Sequence, residues 1–240
     1  QFIKIDDLEV HYRDEGKGFP IILLHGTGAS LHTWNDWAKE LKKQYRVIRM
    51  DLPAFGITGP NATNNYSIES YINFLSQFVT KLGLENFYLA GNSLGGNIAW
   101  HYTNNNADKV SKLILVNASG LPTNKTQPFI FKLAKTPLIN KLFLSITPKF
   151  LIKKNLEQVY DDDTKVTQDL VNRYHDMALR KGNRKAFIAR AKTDFNSDEK
   201  SDRGKLANIN TPTLIIWGEE DSWIPVGNGK RIDSILPNSK

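Results

Sequence analysis

The chain of 240 residues contains no cysteine. Without thiols it can form no disulfide, no cysteine nucleophile and no cysteine-ligated metal site. Long apolar runs are also missing, since the longest covers residues 19–24 and a membrane-spanning helix needs roughly 18 apolar residues. The first residues lack the charged and apolar regions of a secretory signal peptide. What remains is an ordinary globular composition, with 40% hydrophobic and 24% charged residues.

Positive charge is concentrated in the middle of the chain. Residues 118–206 contain 18 Lys and Arg against 10 Asp and Glu, whereas the remainder is close to neutral. Such a section favours either a solvated lysine-rich face or contact with anionic substrates or an anionic membrane surface. No nucleic-acid recognition motif accompanies the charge, so we expect no nucleic-acid partner.

Strand and helix patterns alternate along most of the chain. Residues 2–12 alternate apolar and polar side chains around Asp6 and Asp7, which predicts an antiparallel hairpin. Apolar runs then predict buried strands, separated by amphipathic helices, at residues 20–24, 45–50, 87–90, 112–116 and 212–217. Such alternation predicts an α/β fold with a mainly parallel sheet. Ligands bind at the carboxyl ends of parallel strands, where His25, Asp51 and Ser93 all fall.

Residues 119–207 break this alternation and predict a largely helical lid inserted into a core made of residues 1–118 and 208–240. Two placements of the lid's apolar residues are open: packing onto the core, which the pattern favours, or an apolar face that rests with lysines on a bilayer. These residues are Phe129, Ile130, Phe131, Leu133, Leu138, Ile139, Leu142, Phe143, Leu144 and Ile146.

The strongest motif is Gly91-Asn92-Ser93-Leu94-Gly95, which reads G-x-S-x-G between a predicted strand and a predicted helix. A serine on such a turn is held with its hydroxyl exposed, so Ser93 is the candidate nucleophile and Asn92 a supporting neighbour. The small flanking glycines allow the strand and helix backbones to approach each other.

Serine needs a base and an acid to become nucleophilic, and in this strand–turn–helix context the chain order is Ser, Asp or Glu, then His. Asp221 follows the last predicted strand and is the candidate acid. The backbone N–H groups of Leu94 and Thr27 are candidate oxyanion donors. We expect Gly26 and Gly28 to let the Thr27 backbone approach, and His25 to hold this loop rather than act as the base.

Four motifs occur together at residues 25–28, 51–56, 91–96 and 218–225. In this order and spacing they resemble the α/β-hydrolase superfamily over essentially the whole chain. The resemblance implies an acyl-enzyme mechanism with a Ser-Asp-His triad and no cofactor or metal. The serine separates the chain from the branches with an aspartate nucleophile, the haloalkane dehalogenases and epoxide hydrolases.

The triad histidine of that superfamily lies on a loop after one more strand. The five histidines here are His11, His25, His32, His101 and His175, and none follows Asp221. We therefore expect the last strand, the histidine loop and a closing helix to be missing, and the chain as given to be inactive. His175, in the lid, is the alternative base. Similar proteins sometimes carry an N-terminal anchor, so both a bacterial cytoplasmic location and anchoring upstream of Gln1 stay open.

Three functions remain from the sequence. The first is hydrolysis of esters or related acyl compounds, with a small substrate that has an apolar part. The second is carbon–carbon bond hydrolysis of ring-cleavage products, because the sequence Gly-Asn-Ser-Leu-Gly-Gly is similar to such enzymes. Those enzymes usually have Gly-Pro-Gly-Ala where this chain has Ala29-Ser30-Leu31, which favours esters. The third is a non-catalytic binding protein on the same fold. The sequence leaves the oligomeric state open, and peripheral membrane contact is a further expectation.

Overall fold

The computed structural model describes residues 1–122, 128–137, 139–193 and 199–240. Its strands are β1 (Phe2–Ile5), β2 (Leu8–Glu15), β3 (Pro20–Leu24), β4 (Arg46–Met50), β5 (Phe87–Asn92), β6 (Val110–Val116) and β7 (Thr213–Ile216). They form one sheet in the order β1-β2-β4-β3-β5-β6-β7. The first two strands pair antiparallel, as does β2 with β4, and the other neighbours are parallel. The predicted hairpin and mainly parallel sheet are confirmed.

The helices of the α/β alternation are α1 (Asn35–Leu41), α2 (Ile68–Lys81), α3 (Leu94–Asn105) and α10 (Val226–Ile235). A short 3₁₀ helix, Leu31–Trp34, precedes α1. The side chain of Ser67 accepts a hydrogen bond from the Ser70 N–H and caps α2, and Gly83 follows this helix with φ +64°. Local capping and turn residues thus set the bounds of α2.

Both faces of the sheet are buried, which explains the continuous apolar runs. In β3, Ile22 and Leu24 belong to the large core between the sheet and α2 and α3. Their neighbours Ile21 and Leu23 point to the opposite face, where Trp34 and other apolar residues cover them. Successive strand residues alternate between faces, so a strand covered on both sides must be apolar at every position.

The end of the described chain lies beside β7. The N–H of Thr213 donates to the carbonyl of Asn238 at 2.9 Å, and the N–H of Ile215 donates to the carbonyl of Lys240 at 2.9 Å. A parallel bridge joins Thr213 to Ser239. Residues 238–240 therefore extend along the free edge of β7.

Between β6 and β7 lie the helices of the predicted lid: α4 (Phe129–Lys135), α5 (Ile139–Ser145), α6 (Lys149–Glu157), α7 (Gln168–Leu179), α8 (Asn183–Lys192) and α9 (Glu199–Ala207). The helical character of the insertion is as predicted, while the domain boundaries at 118/119 and 207/208 stay predictions. No helix in the described ranges has the length and apolar character needed to cross a bilayer.

The expectation that the lid's apolar residues pack onto the core is wrong for half of them. Phe131 and Phe143 stack on Phe187, and Ile130 and Leu133 are partly buried. The exposed fractions of Phe129, Ile139, Leu142, Leu144 and Ile146 are 55%, 41%, 59%, 39% and 56%. Helices α4 and α5 are short and carry apolar residues on several sides, so only one side of each can face inward. Leu138 lies outside the described residues.

Candidate active site

Ser93 occupies the tight turn between β5 and α3. Its backbone has φ +51° and ψ −113°, a conformation that costs a non-glycine residue about 1–3 kcal/mol. The Ser93 N–H donates to the carbonyl of Val116 at 3.1 Å, and its carbonyl accepts from Asn97 and Ser119. The turn is therefore fixed by β6 on one side and by the helix on the other.

The serine hydroxyl does not take its usual structural role. A serine that precedes a helix normally accepts a hydrogen bond from the helix's first turn. Ser93 is the N-cap residue of α3, yet its side chain makes no such bond. The hydroxyl is left for another use, at the end of a helix whose first N–H groups have no partner within the helix. The N–H of Leu94 belongs to this group.

Three glycines permit the close approach around the turn. A Cβ at Gly95 would lie 2.8 Å from the carbonyl oxygen of His25, and one at Gly96 would lie 2.5 Å from the Ala118 Cβ. A Cβ at Gly26 would lie 3.0 Å from Asn92 Oδ1 and 3.2 Å from the Ser93 Cβ. Gly26 thus brings the loop after β3 against the serine turn.

The loop of residues 25–28 follows β3 directly. The N–H of Ala29 donates to the carbonyl of Gly26 at 3.3 Å and closes a turn over Thr27 and Gly28. Gly28 has φ +74°, which favours glycine. The Thr27 backbone therefore lies on a turn next to the serine.

His25 is fully buried and both of its ring nitrogens are engaged. Nδ1 contacts the carbonyl of Gly26 at 2.7 Å, and Nε2 accepts the N–H of Leu52 at 2.9 Å. A carbonyl can only accept and an amide N–H can only donate, so Nδ1 carries the proton and the ring is neutral. Burial also lowers the pKa of His25, although Asp51 and the Gly26 carbonyl oppose this. His25 holds two loops together and has no nitrogen left to serve as a base.

Asp51 is a second buried anchor, whose connections the sequence did not reveal. Its carboxylate accepts the N–H groups of Leu31 at 2.7 Å and Ile57 at 2.9 Å, and His11 Nδ1 lies 2.9 Å away. Burial opposes ionisation, but the hydrogen bond with His11 and the two N–H groups outweigh it and lower the pKa of Asp51. This carboxylate fixes the loop after β4.

Asp221 lies on the loop after β7 and is half-buried. One carboxylate oxygen accepts the N–H groups of Trp223 at 2.7 Å and Ile224 at 2.8 Å, and the other accepts the amide of Asn117. Asn117 follows β6 with φ +45° and also accepts the Gly218 N–H. Asn117, which holds the carboxylate of Asp221, was not among the residues predicted from the sequence. An asparagine directly after a predicted strand was the available signal.

The serine and the acid are joined through the end of β6. The carbonyl of Val116 accepts from the Ser93 N–H and also from the Asn92 side chain at 3.2 Å. The next residue, Asn117, donates to Asp221. The predicted nucleophile and the predicted acid therefore lie at the same edge of the sheet. Their hydrogen-bond partners, Val116 and Asn117, are adjacent residues.

The histidines other than His25 have their contacts elsewhere. His175 lies beside Asp176 in α7, whereas Tyr174 and Met177 of that helix line the cavity described next. His11 contacts Asp51, His32 contacts Ser30, and His101 contacts Asp202. Burial lowers the pKa of His32 to about 4, and the positive charge of Arg173 acts in the same direction.

A cavity of about 110 Å³ lies between these loops and the lid helices. Thr27, Gly28 and Trp223 line its sheet side, so the loop next to Ser93 and the loop of Asp221 face the same space. The lid side is mainly apolar and aromatic, as in Phe143 and Phe187. Arg184 is the only charged residue among the described lining residues. The cavity therefore combines a mainly apolar lining with one positively charged side chain.

No group of three His, Asp or Glu side chains in the described ranges is arranged to hold a metal ion.

Known proteins with similar sequences are hydrolases. A 2-hydroxy-6-oxononadienedioate/2-hydroxy-6-oxononatrienedioate hydrolase of Pseudomonas putida is 29% identical over 97% of this chain and 82% of its own length. A 2-hydroxy-6-oxo-6-phenylhexa-2,4-dienoate hydrolase of Comamonas testosteroni is 26% identical over 95% of this chain and 80% of its own.

Solved structures share the fold. A meta-cleavage product hydrolase from Pseudomonas fluorescens IP01 superposes with a TM-score of 0.82, at 24% identity, over 98% of this chain and 85% of its own. A thermophilic esterase from Thermogutta terrifontis superposes with a TM-score of 0.79, at 22% identity, over 97% and 83%. The family model described as alpha/beta hydrolase fold matches residues 20–240. The chain belongs to the alpha/beta hydrolase family.

Proposed function

We propose that the protein is a serine hydrolase in which Ser93 is the nucleophile. The observation that supports this proposal most directly is the conformation of Ser93. This serine occupies the N-cap position of a helix without capping it, and its backbone is held at φ +51°. A strained conformation persists only where the surroundings enforce it, and such positions cluster at functional sites. The bonds to Val116, Asn97 and Ser119 supply that enforcement.

The oxyanion donors in this proposal are the N–H groups of Leu94 and Thr27. Leu94 begins α3, where partial positive charge accumulates at the helix N-terminus. Attack of the serine on a carbonyl carbon moves a negative charge onto the carbonyl oxygen. Two fixed N–H groups stabilise that charge, and loss of one such donor typically costs about 3 kcal/mol.

Asp221 is the proposed acid, and it requires a histidine that it can orient. The contacts of the five histidines support a base other than these five, since His25 has both nitrogens engaged and the rest contact other groups. In this proposal the base is a group outside residues 1–240. The chain alone then hydrolyses substrate only slowly.

For the substrate, we favour carbon–carbon bond hydrolysis over ester hydrolysis. The relatives are named for dienoate and dienedioate substrates, and such molecules combine a carboxylate with an extended carbon skeleton. The mainly apolar cavity with Arg184 as its charged lining residue is compatible with that combination. Ser93 would attack the ketone, and collapse of the oxyanion would break the carbon–carbon bond. This step requires the dienol to shift first to its 2-oxo tautomer, in which C5 carries two hydrogens. The electron pair would then leave on C5, conjugated with the enone of the remaining acid, and C5 would take up a proton. Water would finally release the acyl group from Ser93.

The experiment supplies the missing base as free imidazole. The chain is assayed with 2-hydroxy-6-oxo-6-phenylhexa-2,4-dienoate and with a p-nitrophenyl ester, over a range of imidazole concentrations. We expect imidazole to accelerate the native chain above the Ser93→Ala variant, and the dienoate to react more efficiently than the ester. A higher efficiency for the ester would return the assignment to ester hydrolysis.

Three other outcomes would contradict the proposal. Equal rates for the native chain and Ser93→Ala at every imidazole concentration would refute the nucleophile. Turnover without imidazole that His175→Ala abolishes, while the matched His32→Ala variant retains it, would place the base in the lid. Binding of the dienoate without consumption, seen as a stable spectral shift, would indicate a binding protein.

A further inference from the structure

The outer surface of α4, α5 and α6 exposes apolar side chains at unusual density. Fourteen large apolar residues are exposed in the described part of the chain, and six of them fall within residues 129–150. Phe150 has the highest exposure of all, 66%. Exposed apolar surfaces of this kind mark sites of interaction. We call this surface the lid face and define it by Phe129, Ile139, Leu142, Leu144, Ile146 and Phe150.

Part of the lid face forms a continuous stripe. Ile139, Leu142 and Ile146 are spaced i, i+3 and i+7, which places them on one side of a helix. The N–H of Ile146 donates to the carbonyl of Leu142 at 2.9 Å, so the helical hydrogen bonding continues through Ile146. Phe143, by contrast, stacks on Phe187 and lines the inner cavity. The helix therefore has one apolar residue directed to the cavity and an apolar stripe exposed to solvent.

The charged residues of α4, α5 and α6 are lysines, apart from Glu157 at the end of α6. Residues 128–156 contain six lysines and no Asp, Glu or Arg. All six lysines are exposed: Lys132, Lys135, Lys141, Lys149, Lys153 and Lys154. Only Lys153 pairs with a carboxylate, that of Glu157, among the described residues. A partner must therefore offer both apolar contact and negative charge over an extended area.

We propose that the lid face docks onto the surface of a bilayer that contains anionic phospholipids. Apolar side chains among lysines are what interfacial binding requires, since burial in the acyl boundary and attraction to anionic headgroups add together. Each lysine near such a surface contributes about 1 kcal/mol. A second copy of this chain would bring six more lysines against the same surface, so like charges would oppose self-association.

The docking surface adjoins the cavity beside Thr27. Phe129 and Lys154 also line a second cavity of about 280 Å³ between α4 and α6. That cavity shares Ile130, Leu151 and Asn155 with the cavity beside Thr27. Docking by the lid face would therefore bring lipid next to the cavity that Thr27 and Trp223 line.

The test measures flotation of the 240-residue chain with vesicles, a readout that needs no catalysis. Vesicles of phosphatidylglycerol and phosphatidylcholine are compared with pure phosphatidylcholine, at low and high salt. We expect binding to the anionic vesicles that salt weakens, because exposed charges are screened. Ser93→Ala should bind as the native chain does, so failure of the proposed function would leave this result unchanged.

Substitutions within and outside the lid face test whether this surface contacts the bilayer. Replacing four lysines by glutamine should lower the partition coefficient about fivefold per lysine: Lys132, Lys135, Lys141 and Lys154. A matched set elsewhere lowers the net charge equally and should have a much smaller effect: Lys17, Lys39, Lys81 and Lys230. Phe150→Ser should reduce binding about tenfold, on the scale of burying one aromatic side chain. The control Phe2→Ser removes a phenylalanine that is 56% exposed on β1 and should leave binding unchanged.

Three results would overturn the proposal. One is the lack of binding to anionic vesicles. Another is an equal loss of binding in the two lysine sets, which would show that net charge alone decides. The third is a dimer in sedimentation equilibrium that Phe150→Ser dissociates, because the lid face would then be an interface between copies.

Discussion

The strain at Ser93 can be measured by replacing this residue with glycine and with alanine. Both variants remove the hydroxyl, but only glycine tolerates φ +51° without cost. The strain of a non-glycine residue in such a conformation is about 1–3 kcal/mol. Glycine loses about 0.5–1 kcal/mol through the greater freedom of the unfolded chain. We therefore expect Ser93→Gly to be about 1 kcal/mol more stable than Ser93→Ala.

The assay is urea unfolding followed by circular dichroism and tryptophan fluorescence, with thermal melting as a second measure. A difference of about 1 kcal/mol corresponds to roughly 2–4 °C in a domain of this size. The backbone bonds of Ser93 to Val116, Asn97 and Ser119 use only main-chain atoms, so both variants can keep them. The difference between the variants then reports the backbone conformation.

A control position should show the opposite order. Ser201 is exposed within α9, where the backbone is helical. There we expect the glycine variant to be less stable than the alanine variant by about 0.5–1 kcal/mol. If Ser93→Gly were also less stable than Ser93→Ala, the turn would carry no strain. The fold would then enforce no strained conformation on Ser93.

Three other changes test the supports of the site by urea unfolding. Gly95→Ala should lower the free energy of unfolding by about 3 kcal/mol, because the new Cβ would overlap backbone carbonyls. The control Gly204→Ala should raise it by about 0.5–1 kcal/mol, since nothing lies near that position. Equal effects of the two changes would contradict the close packing at Gly95. The lowered pKa of His25 means that the unfolded chain takes up a proton first as the pH falls. Stability should therefore fall below about pH 6.5 by up to about 1.4 kcal/mol per pH unit for this residue. His25→Gln should flatten that slope, and an unchanged slope would assign it to other groups. Asn117→Gly keeps a residue that tolerates φ +45° but removes the amide donor to Asp221. It should cost about 1 kcal/mol, and unchanged stability would show that the amide does not hold the carboxylate.

Much of the fold could be predicted because the relevant physics is local or periodic. Continuous apolar runs predicted strands buried on both faces, and β3 is covered on both sides in the structure. The G-x-S-x-G pattern placed Ser93 on a turn between a strand and a helix, because only small residues fit where the two backbones meet. Chain order placed Asp221 after the last strand of the alternation.

The partners of the site residues could not be predicted, since they come from distant parts of the chain. Asn117 reaches Asp221 across 104 positions, and Asp51 joins loops that the sequence separates. No periodic pattern records such contacts.

The amino-acid sequence by itself determined the α/β alternation, the serine turn and the position of Asp221 on the loop after the last strand, because backbone sterics and hydrophobic periodicity act over short distances. Only the tertiary structure decided that His25 has no nitrogen free to act as a base. It also decided that half of the lid's apolar residues face outward. Both depend on which surfaces meet in three dimensions, and composition alone does not specify that.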